Sequence, residues 1–264
     1  MTRQSGLEDL LMIKFFLPLI VGAAVALTAC SSANYNKDEV PNIAPDAMYS
    51  VAQNAMASGD FQRAKQYLEA IDSRYPFGEL ADQVQLDLIY VYYKMRDSEK
   101  TSAQINRFMR LNPTSQYTDY VMYMTGLNQI QMRSDILQDF IGLNRSQKDP
   151  TQYYEALKTF RNLIETYPES KYAADAHQRM IFIKQQLAER EMAIANYYYE
   201  RGSYLSTIRH CQNILYSYRG TQYLEPALAL MARCYDDLGL PEAAANARSV
   251  QEASFGTTSF TAPE

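Results

Sequence analysis

A small side chain recurs at the same place in five segments of the chain, and this repeat constrains the fold more than any other feature. These residues are Ala64, Thr101, Ala156, Thr207 and Ala244. Such a repeated small residue is typical of a helical hairpin, because a larger side chain would overpack the crossing of its two helices at a cost of about 1–3 kcal/mol. The chain is therefore predicted to be a series of helical hairpins.

Further residues match the 34-residue tetratricopeptide (TPR) pattern. Apolar residues follow each small residue in the first three segments, and each of these segments closes with a proline: Pro76, Pro113 and Pro168. Proline cannot supply the next helical amide and restricts the residue before it. The predicted fold class is all-α, an α-solenoid of about five TPR hairpins whose concave wall is lined by the first helix of each hairpin.

Three details of the helices follow from the same pattern. A second small position of the repeat holds Ala52, Gly126, Ala195 and Ala232. Leu88 stands there in the second unit, so the alignment of that unit with the repeat can shift by about one residue.

Residues 134–151 are predicted to be a loop or short extra helix. Residues 170–201 contain no Gly or Pro, which predicts one long helix, or two with a bend, with Ser170 as N-cap and Gly202 closing the run.

The amino terminus is predicted to be a targeting segment. Residues 15–27 form an apolar run that is short for a membrane span. The run ends in Leu-Thr-Ala-Cys at Cys30, which resembles the lipobox of bacterial lipoproteins and implies cleavage before Cys30 and lipid attachment there. Ser31 in the next position favours the outer membrane. The alternative is an ordinary signal peptide with a chance cysteine.

The start of translation is open as well. Glu8 and Asp9 are unusual in a region that should be positive, whereas Met12 begins a normal signal peptide. After the cleavage site, the polar residues 31–45 are predicted to be a flexible tether.

Composition excludes several functions. A net charge of −5 and a pI near 5.2 argue against nucleic-acid binding. His210, Cys211 and Cys234 supply at most three metal ligands in no known spacing, so no cofactor is expected beyond the covalent lipid on Cys30. No acid–base pair lies in apolar surroundings, which predicts a protein that is not an enzyme.

The two cysteines of the last units leave an alternative open. Cys211 and Cys234 lie on adjacent predicted helices, so they are either free buried thiols or a disulfide that an oxidising compartment would allow. The charged run Glu189, Arg190 and Glu191 is interpreted as a solvated helix face.

Four stretches together resemble the BamD family, the TPR lipoproteins of the bacterial outer-membrane β-barrel assembly (Bam) machinery. They are RYPFGELADQVQLDLIYVYYK (74–94), RFMRLNP (107–113), DYVMYMTGL (119–127) and YYYERG (197–202). The resemblance runs from about residue 44 to about residue 248 and includes the lipobox. It implies an outer-membrane lipoprotein facing the periplasm that binds BamA, with other Bam lipoproteins near it, and recognises the carboxy-terminal segments of unfolded outer-membrane β-barrel proteins.

These inferences predict five regions along the chain. They are a signal peptide at 1–29, the lipidated Cys30 and tether at 30–43, TPR units 1–3 at 44–168 as the substrate-recognition half, TPR units 4–5 at 169–251 as the partner-docking half, and a disordered tail at 252–264.

Repeat geometry predicts the peptide-binding residues on the concave side of the first helices. They are Tyr49, Gln53, Met56, Gln85, Ile89, Tyr92, Tyr123, Met124 and Leu127. Apolar pockets would take side chains there, and Gln and Tyr tips would pair a peptide backbone; alternatively, many of these residues fill the hairpin core. Arg201 is the candidate partner contact, or else a helix-end charge favoured by the helix dipole.

Two functions of different class remain. The first is an assembly factor that receives unfolded barrel proteins and couples them to BamA. The second is a TPR lipoprotein pilotin that carries a secretin subunit. The stretches at 74–94 and 119–127 favour the first, because they are not expected in pilotins.

Overall fold

The computed structural model describes residues 40–133 and 149–256. The chain divides into two units after Ala44. Of the first unit, residues 40–44 are described, and they form neither helix nor strand. The signal peptide, the possible start at Met12, Cys30 and the tether up to residue 39 lie outside the described residues, as do residues 134–148 of the segment predicted at 134–151.

The described residues of the second unit form helices joined by turns and loops. Its helices are α1 (Pro45–Ala57), α2 (Phe61–Arg74), α3 (Ala81–Lys94), α4 (Ser98–Leu111), α5 (Thr118–Arg133), α6 (Thr151–Thr166), α7 (Ala173–Tyr199), α8 (Tyr204–Ser217), α9 (Leu224–Asp237) and α10 (Pro241–Phe255). Each odd-numbered helix packs against the even-numbered helix that follows it, and each even-numbered helix packs against the next first helix. This arrangement of five stacked hairpins confirms the predicted all-α TPR solenoid. We call α1, α3, α5, α7 and α9 the first-helix wall.

The helix ends follow local sequence chemistry. The side chains of Asp60 and Asp97 cap α2 and α4, each accepting a 3.0 Å hydrogen bond from the amide three residues later. At the other end of α2, the Tyr75 amide donates to the Ile71 carbonyl before Pro76 stops the helix.

The small residues lie where the hairpins cross, as predicted. Ala64, Thr101, Ala156, Thr207 and Ala244 are all fully buried. Gly126 shows how close the helices come, because a Cβ at this position would lie 2.5 Å from ring atoms of Phe160. The crossing of α5 with α6 therefore has room only for glycine.

The register of the second unit differs by one residue from the tentative alignment on Leu88. In the fourth unit the Thr207 hydroxyl reaches the carbonyl of Ala195, twelve residues earlier. The same separation from Thr101 leads to Ile89, which is completely buried in the main core. Tyr92 then follows Ile89 by three residues, as Tyr198 follows Ala195 in the fourth unit.

Residues 170–201 contain one continuous helix of 27 residues, α7, but Ser170 is not its N-cap. The Ser170 hydroxyl donates a 2.6 Å hydrogen bond to Asp119 on α5 instead, and Tyr172 precedes the helix. At the carboxyl end, α10 continues to Phe255, so the predicted start of a disordered tail at 252 is four residues too early. Residues beyond 256 lie outside the described part.

Candidate functional site

Five of the predicted peptide-binding residues lie in the hairpin core. Gln85, Ile89, Tyr92, Met124 and Leu127 are all buried. The Tyr92 hydroxyl also donates a 2.9 Å hydrogen bond to Glu69 on α2. The structure thus places these five side chains in the core and not on an open face, because the first helices are packed on both flanks by neighbouring helices.

Tyr49, Gln53 and Tyr123 retain exposed surface, as does part of Met56. The two tyrosines, however, have a partner that the sequence did not reveal. The Tyr49 hydroxyl on α1 donates a 2.7 Å hydrogen bond to Asp87 on α3, and the Tyr123 hydroxyl on α5 donates a 2.5 Å hydrogen bond to Asp175 on α7.

A third pair of the same kind joins α7 to α9, where Tyr199 donates to Asp237 at 3.0 Å. We call these three contacts the Tyr–Asp bridges. They connect first helices of successive hairpins at separations of 38 and 52 residues, so no local pattern announces them. A signal exists nonetheless: an aspartate lies 38 residues beyond Tyr49 and Tyr199, close to the 34-residue repeat, and 52 residues beyond Tyr123, where extra residues separate α5 from α6.

An aromatic cluster surrounds the central bridge. The Tyr123 ring stacks on Tyr172 with centroids 4.8 Å apart, and Tyr120 packs against Tyr172 at 5.7 Å. The Arg179 guanidinium lies 5.8 Å from the Tyr123 ring and its Nε donates to Asp175. The first-helix wall therefore presents partly exposed rings whose positions are set by hydrogen bonds and stacking.

Electrostatics differ between two of the bridges. For Asp175, burial alone would raise the carboxyl pKa, but the hydrogen bonds from Tyr123 and Arg179 and the charge of Arg179 together lower it. For Asp87, burial dominates and raises the pKa despite hydrogen bonds from Tyr49 and Gln83. The two pKa shifts are opposite because Asp87 is more deeply buried, whereas Asp175 has the guanidinium of Arg179 beside it.

Arg201 is placed at the end of α7, as predicted, and braces that end. Its guanidinium lies 3.5 Å from the centre of the Tyr197 ring, and its Nη1 donates a 3.0 Å hydrogen bond to the Tyr197 carbonyl. Both contacts favour a cation at the carboxyl end of a helix. The guanidinium is exposed, and its role as a partner contact stays a prediction.

A polar cluster between α7 and α8 was not predicted. Glu191, interpreted from the sequence as part of a solvated face, is buried. Its Oε2 lies 2.7 Å from Nδ1 of His210, whose ring stacks on Tyr198. A helix face is solvated only where no neighbour covers it, and α8 covers this one.

Cys211 and Cys234 are free thiols, and both are buried. Burial raises the pKa of Cys211 to about 12 and that of Cys234 to about 11. Among residues 40–133 and 149–256, no group of three or more His, Cys, Asp or Glu side chains could hold a metal ion. Within the same ranges, every helix is too short or too polar to cross a membrane.

A groove separates α7 from α9 and has a volume of about 690 Å³. Its walls include Met192 and Asn196 on α7, and Pro226, Ala229 and Leu230 on α9. We call it the α7–α9 groove. It lies in units 4 and 5, where no peptide-binding residue was predicted.

Known proteins resemble this chain over most of its length. The YfiO family model, described as outer membrane lipoprotein, matches residues 41–250. The outer membrane protein assembly factor BamD of Vibrio cholerae is 40% identical over 217 residues, which is 82% of this chain and 89% of that protein. BamD of Neisseria meningitidis serogroup A is 36% identical over 245 residues, 92% of each chain. Among solved structures, the crystal structure of MamA matches 82% of this chain and 98% of its own at 13% identity and a TM-score of 0.38, too low to add to the fold described above.

The stacked hairpins and their aromatic wall define a TPR-type helical scaffold. The family model and the relatives then place it: the chain belongs to the BamD family of outer-membrane protein assembly factors. This confirms the predicted family and association with the outer membrane, and it favours assembly over the pilotin alternative. It also agrees with the prediction of a protein that is not an enzyme, since the family is one of assembly factors.

Proposed function

We propose that this assembly factor is anchored by lipid at Cys30 to the periplasmic face of the outer membrane. Units 4–5 bind BamA, with other Bam lipoproteins near them, and the first-helix wall of units 1–3 receives carboxy-terminal segments of unfolded β-barrel proteins. The observation that carries the assembly role is the 40% identity over 217 residues to an outer membrane protein assembly factor BamD.

The lipid anchor is supported by the Leu-Thr-Ala-Cys sequence ending at Cys30 and by the match to an outer membrane lipoprotein family. Several acyl chains, at ~0.8 kcal/mol per buried methylene, would hold the protein at the membrane permanently. The test is mass spectrometry of the amino-terminal fragment of protein purified from membranes. Acyl groups on a fragment that begins at Cys30 are expected; an unmodified Cys30 would refute the anchor.

Partly exposed tyrosine rings support the first-helix wall of units 1–3 as the surface that binds substrates. The Tyr–Asp bridges hold these rings in place, so a bound peptide would lose little additional side-chain entropy on ordering them. Tyrosine offers a large apolar area and a polar tip to an extended segment.

A matched set of variants separates binding from folding. The Phe pair, Tyr49→Phe with Tyr123→Phe, removes two bridges and keeps the aromatic rings. The Ala pair, Tyr49→Ala with Tyr123→Ala, removes the two bridges and the two rings. Binding of a fluorescent peptide that ends in an aromatic residue should weaken only slightly in the Phe pair, which keeps the rings but frees them, and by at least about tenfold in the Ala pair, about 1.4 kcal/mol. If the Phe pair and the Ala pair are both folded and bind the peptide equally well, the substrate binds elsewhere.

The partner proposal is tested by purifying the lipidated full-length protein from mildly solubilised membranes. BamA in stoichiometric amount, with further Bam lipoproteins, is the expected result. Recovery of a secretin, or of no membrane partner, would refute the docking proposal.

A further inference from the structure

The first helices of TPR units 1–3 all begin at one edge of the solenoid. Tyr49, in the second turn of α1, is hydrogen-bonded to Asp87, in the second turn of α3. Near the other end of these helices, the side-chain amide of Gln131 on α5 donates a 3.2 Å hydrogen bond to the carbonyl of Tyr93 on α3. Contacts between matching turns show that α1, α3 and α5 run parallel. We call the edge at which they begin the start edge.

The second helices of units 1 and 2 end at the start edge. Short loops, residues 75–80 and 112–117, join α2 to α3 and α4 to α5. Arg107 in the last half of α4 forms an ion pair with Asp72 near the end of α2, so the two helices end side by side. The two loops are therefore neighbours at this edge.

These two loops and the helix end between them expose large apolar side chains. Phe77, in the loop after α2, is 97% exposed, and Leu111, the last residue of α4, is 58% exposed. Tyr117, directly before α5, is 37% exposed. Apolar surface in water forgoes the favourable free energy of burial, and neighbouring exposed apolar side chains mark a contact surface.

The turns at the opposite edge of the same two hairpins are different. Residues 58–60 read Ser-Gly-Asp, and residues 95–97 read Met-Arg-Asp. The exposed side chains there belong to Ser58, Asp60 and Arg96. Large exposed apolar side chains therefore mark one edge of these hairpins and not the other.

The chain from the proposed lipid anchor arrives at the start edge. It enters the solenoid at Pro45, the first residue of α1, 15 residues after Cys30. Fifteen residues span at most about 50 Å when fully extended. The helices α1 and α3 are each about 20 Å long, so the opposite edge lies farther along the solenoid from the anchored residue than the start edge does.

The exposed charges beside the apolar side chains balance one another. Arg74 and Arg110 lie in the last turns of α2 and α4, and Glu79 and Asp82 follow Phe77. An excess of one sign would favour an oppositely charged partner. Balanced charges around apolar side chains suit a contact that depends on apolar burial, as at a lipid surface.

We propose that the start edge of units 1 and 2 rests on the lipid bilayer. Phe77 and Leu111 insert among the lipids, and Tyr117 lies at the level of the headgroups, where an amphipathic ring is favoured. The helices α1 and α3 then run away from the bilayer, so a segment bound on the first-helix wall of these units lies beside the membrane. The inference rests on the proposed lipid anchor at Cys30, and its test is designed to be independent of lipidation in the cell.

A single tryptophan can report the contact, because the chain contains none of its own. The chain from Cys30 onward, produced without lipid, is coupled through the Cys30 thiol to a maleimide lipid in phosphatidylcholine vesicles. Cys211 and Cys234 are fully buried and do not compete for the maleimide. Vesicles whose phosphatidylcholine carries bromine on its acyl chains quench a tryptophan that enters the bilayer.

Three tryptophan variants compare the two edges. Phe77→Trp and Leu111→Trp should lose emission intensity in brominated vesicles, and their emission should shift to shorter wavelength on coupling. Leu205→Trp is the matched control, because Leu205 is 73% exposed at the start of α8, beyond the far end of α7. Its emission should stay as it is in solution.

Two further comparisons test the apolar character of the contact. Phe77→Ser in the Leu111→Trp protein should reduce the quenching of that tryptophan, whereas Leu240→Ser should not, since Leu240 is exposed in the turn between α9 and α10. Replacing part of the phosphatidylcholine by phosphatidylglycerol should leave the quenching unchanged, because the charges at the start edge balance.

The outcomes are distinct. Unquenched tryptophans at positions 77 and 111 in coupled protein overturn the inference, as does equal quenching at position 205, which would mean that no edge is preferred. If the Phe77→Trp emission is unchanged by vesicles but shifts to shorter wavelength on addition of BamA in detergent, the loop contacts a protein and the inference is also wrong. An unmodified Cys30 in protein purified from membranes contradicts the proposed anchor, whereas the quenching in coupled vesicles decides the membrane contact separately.

Discussion

The hydroxyl of Tyr123 on α5 donates a 2.5 Å hydrogen bond to Oδ2 of Asp175 in the first turn of α7. The contact joins first helices of successive hairpins, and Tyr49–Asp87 and Tyr199–Asp237 do the same elsewhere on the wall. In a solenoid each hairpin contacts mainly its neighbours, so stability depends on these interfaces. The bridges therefore set the spacing of the surface proposed to receive substrates.

The Asp175 bridge should stabilise the protein in a pH-dependent way. Hydrogen bonds and the charge of Arg179 lower the pKa of Asp175 below its ordinary value of 3.8. A carboxyl whose pKa is lower in the folded state stabilises the fold above its unfolded-state pKa, and the contribution is lost as the pH falls through the folded-state pKa. Asp175→Asn should therefore decrease the free energy of unfolding at pH 6 and have a smaller effect near pH 3, as measured by urea denaturation.

Asp87→Asn is the matched variant, and its pH dependence should have the opposite sign. Burial raises the pKa of Asp87 above 3.8, so ionisation of this carboxyl in the folded protein costs free energy as the pH rises through the raised pKa. The effect of Asp87→Asn on the free energy of unfolding should therefore become more favourable as the pH rises from 3 to 6. If the changes in the free energy of unfolding caused by Asp87→Asn and Asp175→Asn vary with pH in the same direction, the pKa values of the two carboxyl groups are not shifted in opposite directions.

Gly126→Ala should destabilise the crossing of α5 with α6. The added Cβ would lie 2.5 Å from Phe160, which is fully buried and has no room to move. Overpacking costs about 1–3 kcal/mol, and the better helix propensity of alanine returns about 1 kcal/mol, which leaves a net loss of up to about 2 kcal/mol. The free energy of unfolding measures it.

A double substitution checks the cause of that loss. Phe160→Leu alone removes ring contacts from the core, but in combination with Gly126→Ala it also removes the atoms that the new methyl group meets. The loss in the double variant should be smaller than the sum of the two single losses. Additive losses would mean that the glycine matters for another reason.

The hairpins could be predicted from the sequence because their signals are local. Ala64 and Pro76 belong to one repeat, and the physical reasons for both, a close crossing and a missing amide, act within a few turns. The family resemblance rested on motifs of the same local kind, such as residues 74–94.

The wall could not be predicted in the same way. Whether a first-helix residue faces the core or the solvent depends on how two neighbouring helices pack around it. Ile89 and Met124 are apolar and were placed on the ligand side, yet the crossings bury them. The partners of Tyr49 and Tyr123 lie 38 and 52 residues away, beyond any helical period.

Arg201 should stabilise the end of α7. Arg201→Ala removes the contact with the Tyr197 ring at 3.5 Å and the hydrogen bond to its carbonyl, and should cost about 0.5–1 kcal/mol, as for an exposed cation–π pair. Arg201→Lys keeps the charge at the helix end but loses the planar stack, so its loss should be intermediate. Unchanged stability in both variants would mean that the guanidinium does not stabilise the end of α7 and is available to contact a partner.

The corrected placement of the first-helix residues gives the last prediction. Ile89 is 0% exposed, so Ile89→Ala should decrease the free energy of unfolding by about 2–5 kcal/mol through the lost contacts and the cavity left behind. Gln53 is exposed on α1, and Gln53→Ala should change stability by no more than about 0.5 kcal/mol.

Urea denaturation of both variants, followed by peptide binding under conditions where both are folded, separates a role in the core from a role in binding. Any binding loss in the Ile89 variant should then follow its stability, whereas a loss in the Gln53 variant would identify a direct contact. A stable Ile89→Ala protein that no longer binds peptide would return Ile89 to the ligand surface.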